Sequence, residues 1–201
     1  MKKVFYLFVF LFFVDLIMII TGFSSSFDNA ISLFFSVHNN MILTNIFKII
    51  SFICSPKFMI ILNVLLFIFI IVKKKYKLSI IVLSSVSSVI FNNLVKIIIK
   101  RERPNYLRMV IEKSYSFPSG HSMISVLFFG SIIYLVNKYN VKHKKLITFS
   151  LSTFILLVGI SRIYLGVHYL TDVVGGYLLG LVVLFLIIHI LERKKLVWKH
   201  L

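Results

Sequence analysis

Three short stretches of the chain carry residue types that together can handle a phosphate. The first is Lys96-Ile97-Ile98-Ile99-Lys100-Arg101-Glu102-Arg103-Pro104. A helix would place Lys96 and Arg103, two turns apart, on one face with Lys100 between them. Pro104 disfavours helical geometry in the residue before it, so the helix is expected to stop near Arg103 and let that guanidinium turn inward. A flexible ammonium and a planar guanidinium suit a multivalent oxyanion, the Arg by paired hydrogen bonds and the Lys as a point charge. The second stretch is Tyr115-Ser116-Phe117-Pro118-Ser119-Gly120-His121. Pro118 fits the first turn of a helix, where a missing N–H is harmless, and the N–H groups of Ser119, Gly120 and His121 would then point outward as an anion site. Gly120 has no side chain to obstruct the approach, the Ser119 hydroxyl can donate to a bound oxygen, and His121 brings a titratable proton.

The third stretch is Ser161-Arg162-Ile163-Tyr164-Leu165-Gly166-Val167-His168-Tyr169-Leu170-Thr171-Asp172. On a helix the Asp172 carboxylate, four residues after His168, can accept a proton from one imidazole nitrogen and leave the other with a free lone pair, as in a base or a nucleophile. Arg162, on the far side of the Gly166 break, can fold back onto the same anion. Two histidines and one aspartate also suggest metal ligation. However, Lys96, Arg103 and Arg162 would repel a divalent cation and can themselves stabilise charge on a phosphoryl group. No catalytic metal and no cofactor are expected. Cys54 is the only cysteine, which rules out an intrachain disulfide and reads as an apolar filler.

The elements that must position these residues are oily. Of 201 residues 59% are apolar before glycine is counted, more than a soluble domain of this length can bury. The expected fold is an all-α bundle of six transmembrane helices in a single membrane domain. The spans fall at about residues 4–21, 56–72, 78–101, 119–137, 146–163 and 170–190. Met1-Lys2-Lys3 followed by an apolar run resembles a signal peptide, but no A-x-A-like site follows, so an uncleaved first span is expected. The 23 basic residues outnumber the 6 acidic ones, but they fall in blocks between oily runs. Membrane orientation and anionic lipid therefore explain the excess, and no nucleic-acid partner is expected.

Lys2 and Lys3, Lys73 to Lys75 with Lys77, the lysines of 137–145, and Arg193 to Lys195 all land on one side if six spans alternate. The positive-inside rule makes that side cytoplasmic, with both termini, and Trp198 is expected at its surface. All three chemical stretches then lie at the extracytoplasmic face. Residues 22–55, with Lys48 inside and Lys57 just beyond, read as an amphipathic extracytoplasmic segment of one or two interfacial helices, with a re-entrant element as the alternative. Asp15 is a costly carboxylate in the first span with no partner apparent from sequence. Gly176 and Gly180 form a small-xxx-small step, and Ser84, Ser85, Ser87 and Ser88 suggest close helix packing.

The chain resembles the membrane-bound type 2 phosphatidic acid phosphatase (PAP2) family, the lipid phosphate phosphatases, which share their core with soluble haloperoxidases. Lys96 through Arg103-Pro104, Pro118 to His121, and Ser161-Arg162 with His168 and Asp172 match its three motifs in order. The resemblance implies that His168 attacks phosphorus to form a phosphohistidine while Asp172 orients it. His121 would protonate the leaving oxygen and later activate water, and Lys96, Arg103, Arg162, Ser119 and the Gly120 N–H would hold the phosphate. It implies a hydrolase of the bacterial cytoplasmic membrane that takes a lipid phosphate or pyrophosphate from the bilayer. Undecaprenyl pyrophosphate is the leading substrate, followed by phosphatidylglycerol phosphate and phosphatidic acid. Phosphotransfer to an acceptor alcohol is the second enzyme reading. A passive anion carrier would need a polar path through the spans, which the sequence lacks.

Overall fold

The computed structural model describes residues 2–193. Lys194, Lys195 and Trp198, assigned above to the cytoplasmic side, lie outside the described residues. Those residues form an all-helical protein: α1 (Lys2–Ile20), α2 (Ser25–Val37), α3 (Met41–Ile53), α4 (Pro56–Val72), α5 (Ser79–Ile99), α6 (Gly120–Lys138), α7 (Lys144–Tyr164) and α8 (Leu170–Arg193). A 3-10 turn at Tyr76–Leu78 leads into α5. Side chains before the helices stop orphan N–H groups from going unpaired. Asn40 accepts from the Leu43 N–H at 2.8 Å ahead of α3, and Ser55 accepts from the Phe58 N–H ahead of α4, with Pro56 in the first turn.

Five of these helices, α1, α5 with its 3-10 turn, α6, α7 and α8, are long and apolar enough to cross a membrane. α3 and α4 meet at a 42° bend and pass the same test together, as a broken span or a re-entrant pair, which gives up to six. The stretch expected to be interfacial is thus two helices, and the second is nearly continuous with α4.

The centre of the bundle is α6, which packs on α5, α7 and α8, while α1 lies against α8 and α3 against α7. Met123 and Leu127 of α6 and Val158 of α7 are fully buried. Val64 and Leu65 of α4 and Val86 and Val89 of α5 are exposed, as side chains solvated by lipid would be. Gly176 and Gly180 let α8 approach α6: a Cβ at Gly176 would come within 2.6 Å of the Ser119 carbonyl, and one at Gly180 within 3.0 Å of Val126. The small-xxx-small step therefore packs α8 on α6. Three of the α5 serines turn back on their own helix instead, Ser85 donating to the Ile81 carbonyl, Ser87 to the Ser84 carbonyl and Ser88 to the Ser85 carbonyl, while the buried Ser84 Oγ has no partner among the described residues.

Two connections meet at one end of the bundle, the loop between α5 and α6 and the turn between α7 and α8. The Met109 N–H donates to the Leu165 carbonyl at 3.0 Å, and the Ser119 N–H to the Asp172 carbonyl at 2.8 Å. Gly166 has φ +71°, and a Cβ there would sit 2.2 Å from the Leu107 carbonyl oxygen. Only glycine satisfies both the backbone and the contact, and this turn delivers His168. Gly176→Val is expected to force α8 off α6 and destabilise the fold by ~1–3 kcal/mol. Thermal unfolding in detergent reads the change, and an unaltered melting temperature would refute the contact.

Candidate active site

Lys96 and Arg103 meet, but not on one helix face. Lys100 takes a left-handed conformation, φ 50°, and its N–H closes on the Lys96 carbonyl, so α5 stops at Ile99 and Arg103 lies in the loop. The loop itself brings the two cations together, because both grip Ser114 and Tyr115. Lys96 Nζ donates to Ser114 Oγ at 3.1 Å and to the Tyr115 carbonyl. Arg103 Nε donates to the Ser114 carbonyl at 2.7 Å, and Nη2 to Ser114 Oγ and the Tyr115 carbonyl. The remaining nitrogen, Nη1, donates to the Val167 carbonyl at 2.6 Å and lies 3.3 Å from His168 Nε2.

The second stretch starts its helix later than its proline suggests. Ser119 is the N-cap of α6, its Oγ accepting from Ser122, and the Phe117–Pro118 peptide bond just before it is cis. The Ser119 N–H is taken by the Asp172 carbonyl, so it does not face outward as expected. That bond ties the start of α6 to the start of α8. Gly120 leaves room for Asn92, whose Oδ1 would be 3.2 Å from a Cβ there and whose Nδ2 donates to the Pro118 carbonyl.

In the third stretch Arg162 belongs to the last turn of α7, before the Gly166 break, and needs no fold-back. Its Nη atoms bond Ser51 and Glu112, and its buried Nε has no partner among the described residues. His168 precedes α8 with Nδ1 3.4 Å from Asp172 Oδ2. Asp172 Oδ2 also accepts from Ser116 Oγ and, at 2.8 Å, from the Tyr169 N–H. An acceptor at Nδ1 and a donor at Nε2 together select the Nδ1–H tautomer, with the Nε2 lone pair facing Arg103. Burial first, then the charges of Arg103, Arg162 and Lys96, hold the His168 pKa well below the usual imidazole value. The ring is therefore neutral, and takes a proton only as pH falls far below that range.

Lys96, Arg103, Gly120, His121 and His168 line one cavity of about 540 Å³. Its other end is apolar and runs between α4 and α5 past Met59, Ile60, Val64, Phe67, Val82, Val86 and Val89. Ser119, Arg162 and Asp172 stand behind the polar wall, each at most 2% exposed. A second cavity of about 800 Å³ shares Lys96, Arg103, Glu112 and Ser114 with the first and adds Arg101, Arg108 and Lys113. A polar end joined to an apolar groove suits a molecule with an anionic head and a hydrocarbon tail.

Sequence reasoning left out Ser114, Ser116, Glu112 and Asp28, and placed Arg101 near the site without a task. Ser114 and Ser116 flank the second motif and carried no signal of their own. Glu112 and Asp28 had one available signal, since a carboxylate is rare in a chain with 6 acidic residues. NMR of the detergent-solubilised protein with labelled histidine checks the electrostatics. The His168 signals are expected to be those of neutral imidazole at pH 6, and imidazolium signals there would contradict the reading.

Residues 77–196 match the model of the PAP2 superfamily. Phosphatidylglycerophosphatase B of Bacillus subtilis is 43% identical over 109 residues, 53% of this chain and 54% of that protein. Lipid A 4'-phosphatase of Porphyromonas gingivalis is 38% identical over 71 residues, 34% of this chain and 27% of that protein. The chain thus spans about half the length of the first of these curated relatives and about a quarter of the second. The crystal structure of a transmembrane PAP2-type phosphatidylglycerolphosphate phosphatase from Bacillus subtilis superposes with a TM-score of 0.87 at 32% identity. That likeness covers 96% of this chain and 98% of that one. Aquifex aeolicus LpxE, at 21% identity, shares the fold with a TM-score of 0.65 over 79% of this chain and 92% of that one. The family match runs through all three chemical stretches and the structural likeness takes in nearly the whole chain, so this protein belongs to the PAP2 superfamily.

Proposed function

We propose that this chain is a metal-independent phosphatase of membrane lipid phosphates that works through a phosphohistidine at His168. One observation carries the reading: His168 has a carboxylate at Nδ1 and a guanidinium beside Nε2, at the polar end of an apolar groove. The Nε2 lone pair attacks phosphorus, the bond to the lipid oxygen breaks, and His121 gives that oxygen its proton. In the second half His121 takes a proton from water, the water oxygen bonds phosphorus, and the N–P bond breaks to release phosphate and neutral His168. Asp172 fixes the tautomer and stabilises the positive ring that forms. Lys96, Arg103, Ser119 Oγ, the Gly120 N–H and Arg162, through its unpartnered Nε–H, hold the nonbridging oxygens. These fixed cations do what a metal would otherwise do for the transferring group.

The groove between α4 and α5 lets the tail stay in lipid while the head reaches His168. This avoids moving hydrocarbon into water at ~0.8 kcal/mol per CH₂. Six spans are the topology we adopt, α1 and α4 to α8, with α2 and α3 at the outer surface. The basic blocks at Lys73 to Lys77 and Lys138 to Lys145 support cytoplasmic termini and an extracytoplasmic site. The Bacillus subtilis relatives favour phosphatidylglycerol phosphate as substrate. Undecaprenyl pyrophosphate is the second reading, favoured by the basic outer cavity beside the site, where Arg108 and Lys113 can meet a second phosphate.

Purified protein in detergent with chelator is expected to release inorganic phosphate from both lipids. His168→Ala should abolish release, and Asp172→Asn should lower kcat by on the order of 10⁴-fold, the scale seen when a carboxylate supporting a catalytic histidine becomes an amide. Loss of activity on chelation, or turnover by His168→Ala, would overturn the proposal. A phosphorylated acceptor in place of free phosphate would make the enzyme a transferase.

A further inference from the structure

Behind His168 lies a second layer of charge that the proposed reaction does not use. Asp28 of α2 has no exposed surface, although it sits in a helix that contributes nothing to the cavity beside His168. Its Oδ1 accepts from the Thr171 N–H at 3.1 Å, and its Oδ2 from Thr171 Oγ1 at 2.6 Å and from Arg101 Nη2 at 2.7 Å. Arg101 Nη1 reaches the other way, to Thr171 Oγ1 at 2.7 Å and to Asp172 Oδ1 at 2.6 Å. The guanidinium also lies over the Tyr169 ring, 4.4 Å from its centroid. One planar fork thus spans two buried carboxylates, and the residue between them, Thr171, is bonded to both the fork and Asp28.

We infer that Asp28 and Arg101 are positioning residues for the proposed phosphatase reaction: together they fix Asp172 so that its Oδ2 stays aimed at His168 Nδ1. With Oδ1 pinned by Arg101, rotation of the carboxylate would break the shortest bond it makes to a cation. Asp28 holds the other arm of that cation. Arg101 also lines the basic cavity beside the site, and Asp28 is the one hydrogen-bond partner of its Nη2 among the described residues. Asp28 in addition accepts from an N–H in the first turn of α8, so a carboxylate from a distant helix caps the one that carries Asp172. The groups facing Asp172 are Arg101 of the loop, Asp28 of α2, His168 of the preceding turn, and Asp15 of α1. Asp15 packs at Gly175, one turn along α8. Lys96 and Arg103 also act on Asp172 through space, but the cation bonded to it is Arg101. A lysine cannot replace it, because one ammonium lacks the fork that meets both acids in plane.

This inference rests on the proposed activity, so the test first establishes that wild-type protein releases phosphate and that His168→Ala does not. Failure at that stage defeats the function. Given an active wild type, Asp28→Asn is expected to lower kcat about tenfold with KM within twofold, the scale on which partners behind a liganding or reacting histidine act. Arg101→Gln is expected to move the acid limb of the kcat profile upward by a pH unit or more. Asp172, stripped of its cation, then ionises only at higher pH, and activity returns as pH rises. A merely structural role would lower the rate equally at every pH. Thr171→Val, which keeps the shape and removes the bridging hydroxyl, is the variant for the case in which the charged ones do not fold, and it should lower kcat several-fold with the same upward displacement of the limb. Unchanged kcat in all three, a uniform loss with no displacement of the limb, or a KM more than tenfold higher at constant kcat for Arg101→Gln would overturn the inference. The last outcome would make Arg101 a substrate contact.

Discussion

Asp172 is a carboxylate with no exposed surface in the first turn of α8, and burying it shapes everything around it. A buried charge is tolerated only when it is paired and hydrogen-bonded. Here the four donors come from two connections: Ser116 and Arg101 of the loop after α5, and His168 and the Tyr169 N–H of the turn before α8. Its backbone carbonyl, in turn, accepts the Ser119 N–H at the start of α6. The cost of leaving this one group unsatisfied therefore enforces the convergence of α5, α6, α7 and α8 at one end of the bundle. The position of His168 follows from that convergence.

The same end carries an excess of positive charge that no protein carboxylate neutralises in full. Arg162 has Glu112 and Arg101 has two aspartates, but Lys96 and Arg103 are satisfied by neutral oxygens of Ser114, Tyr115 and Val167. Hydrogen bonds to carbonyls hold the two cations in place without cancelling their charge, so the cavity keeps a positive field for an anion. At the far end of the same cavity the walls are valine, isoleucine, methionine and phenylalanine from α4 and α5. An amphiphile with a phosphate head fits both halves, whereas a soluble phosphate ester would meet only the polar one. This division of the cavity is why the proposed substrates are lipids.

Much of this was legible because the chemistry is local. Spacing alone marked Lys96, Arg103, Ser119, Gly120, His121, Arg162, His168 and Asp172, and the charge blocks put them at one end. The local geometry was less legible. Nothing in the sequence signals that Lys100, rather than the residue before Pro104, would end α5 by turning left-handed. Pro118 falls before α6 instead of in its first turn, Ser119 caps the helix, and the Ser119 N–H is held by a carbonyl remote in sequence. The task of Asp28 was not legible for the same reason, since its partners Arg101 and Thr171 lie 73 and 143 residues away. An apolar groove is likewise a property of two helices that do not close on each other, and composition does not reveal such a gap.

The central claim is that phosphorus is transferred to His168 and not directly to water. Wild-type protein mixed with lipid carrying a radioactive terminal phosphate, quenched in alkali within one turnover and mapped by peptide mass spectrometry, tests it most directly. The account predicts an alkali-stable, acid-labile phosphoryl group on His168 that disappears as free phosphate forms. Steady turnover with no labelled protein, or a label on His121 or any other residue, would contradict it.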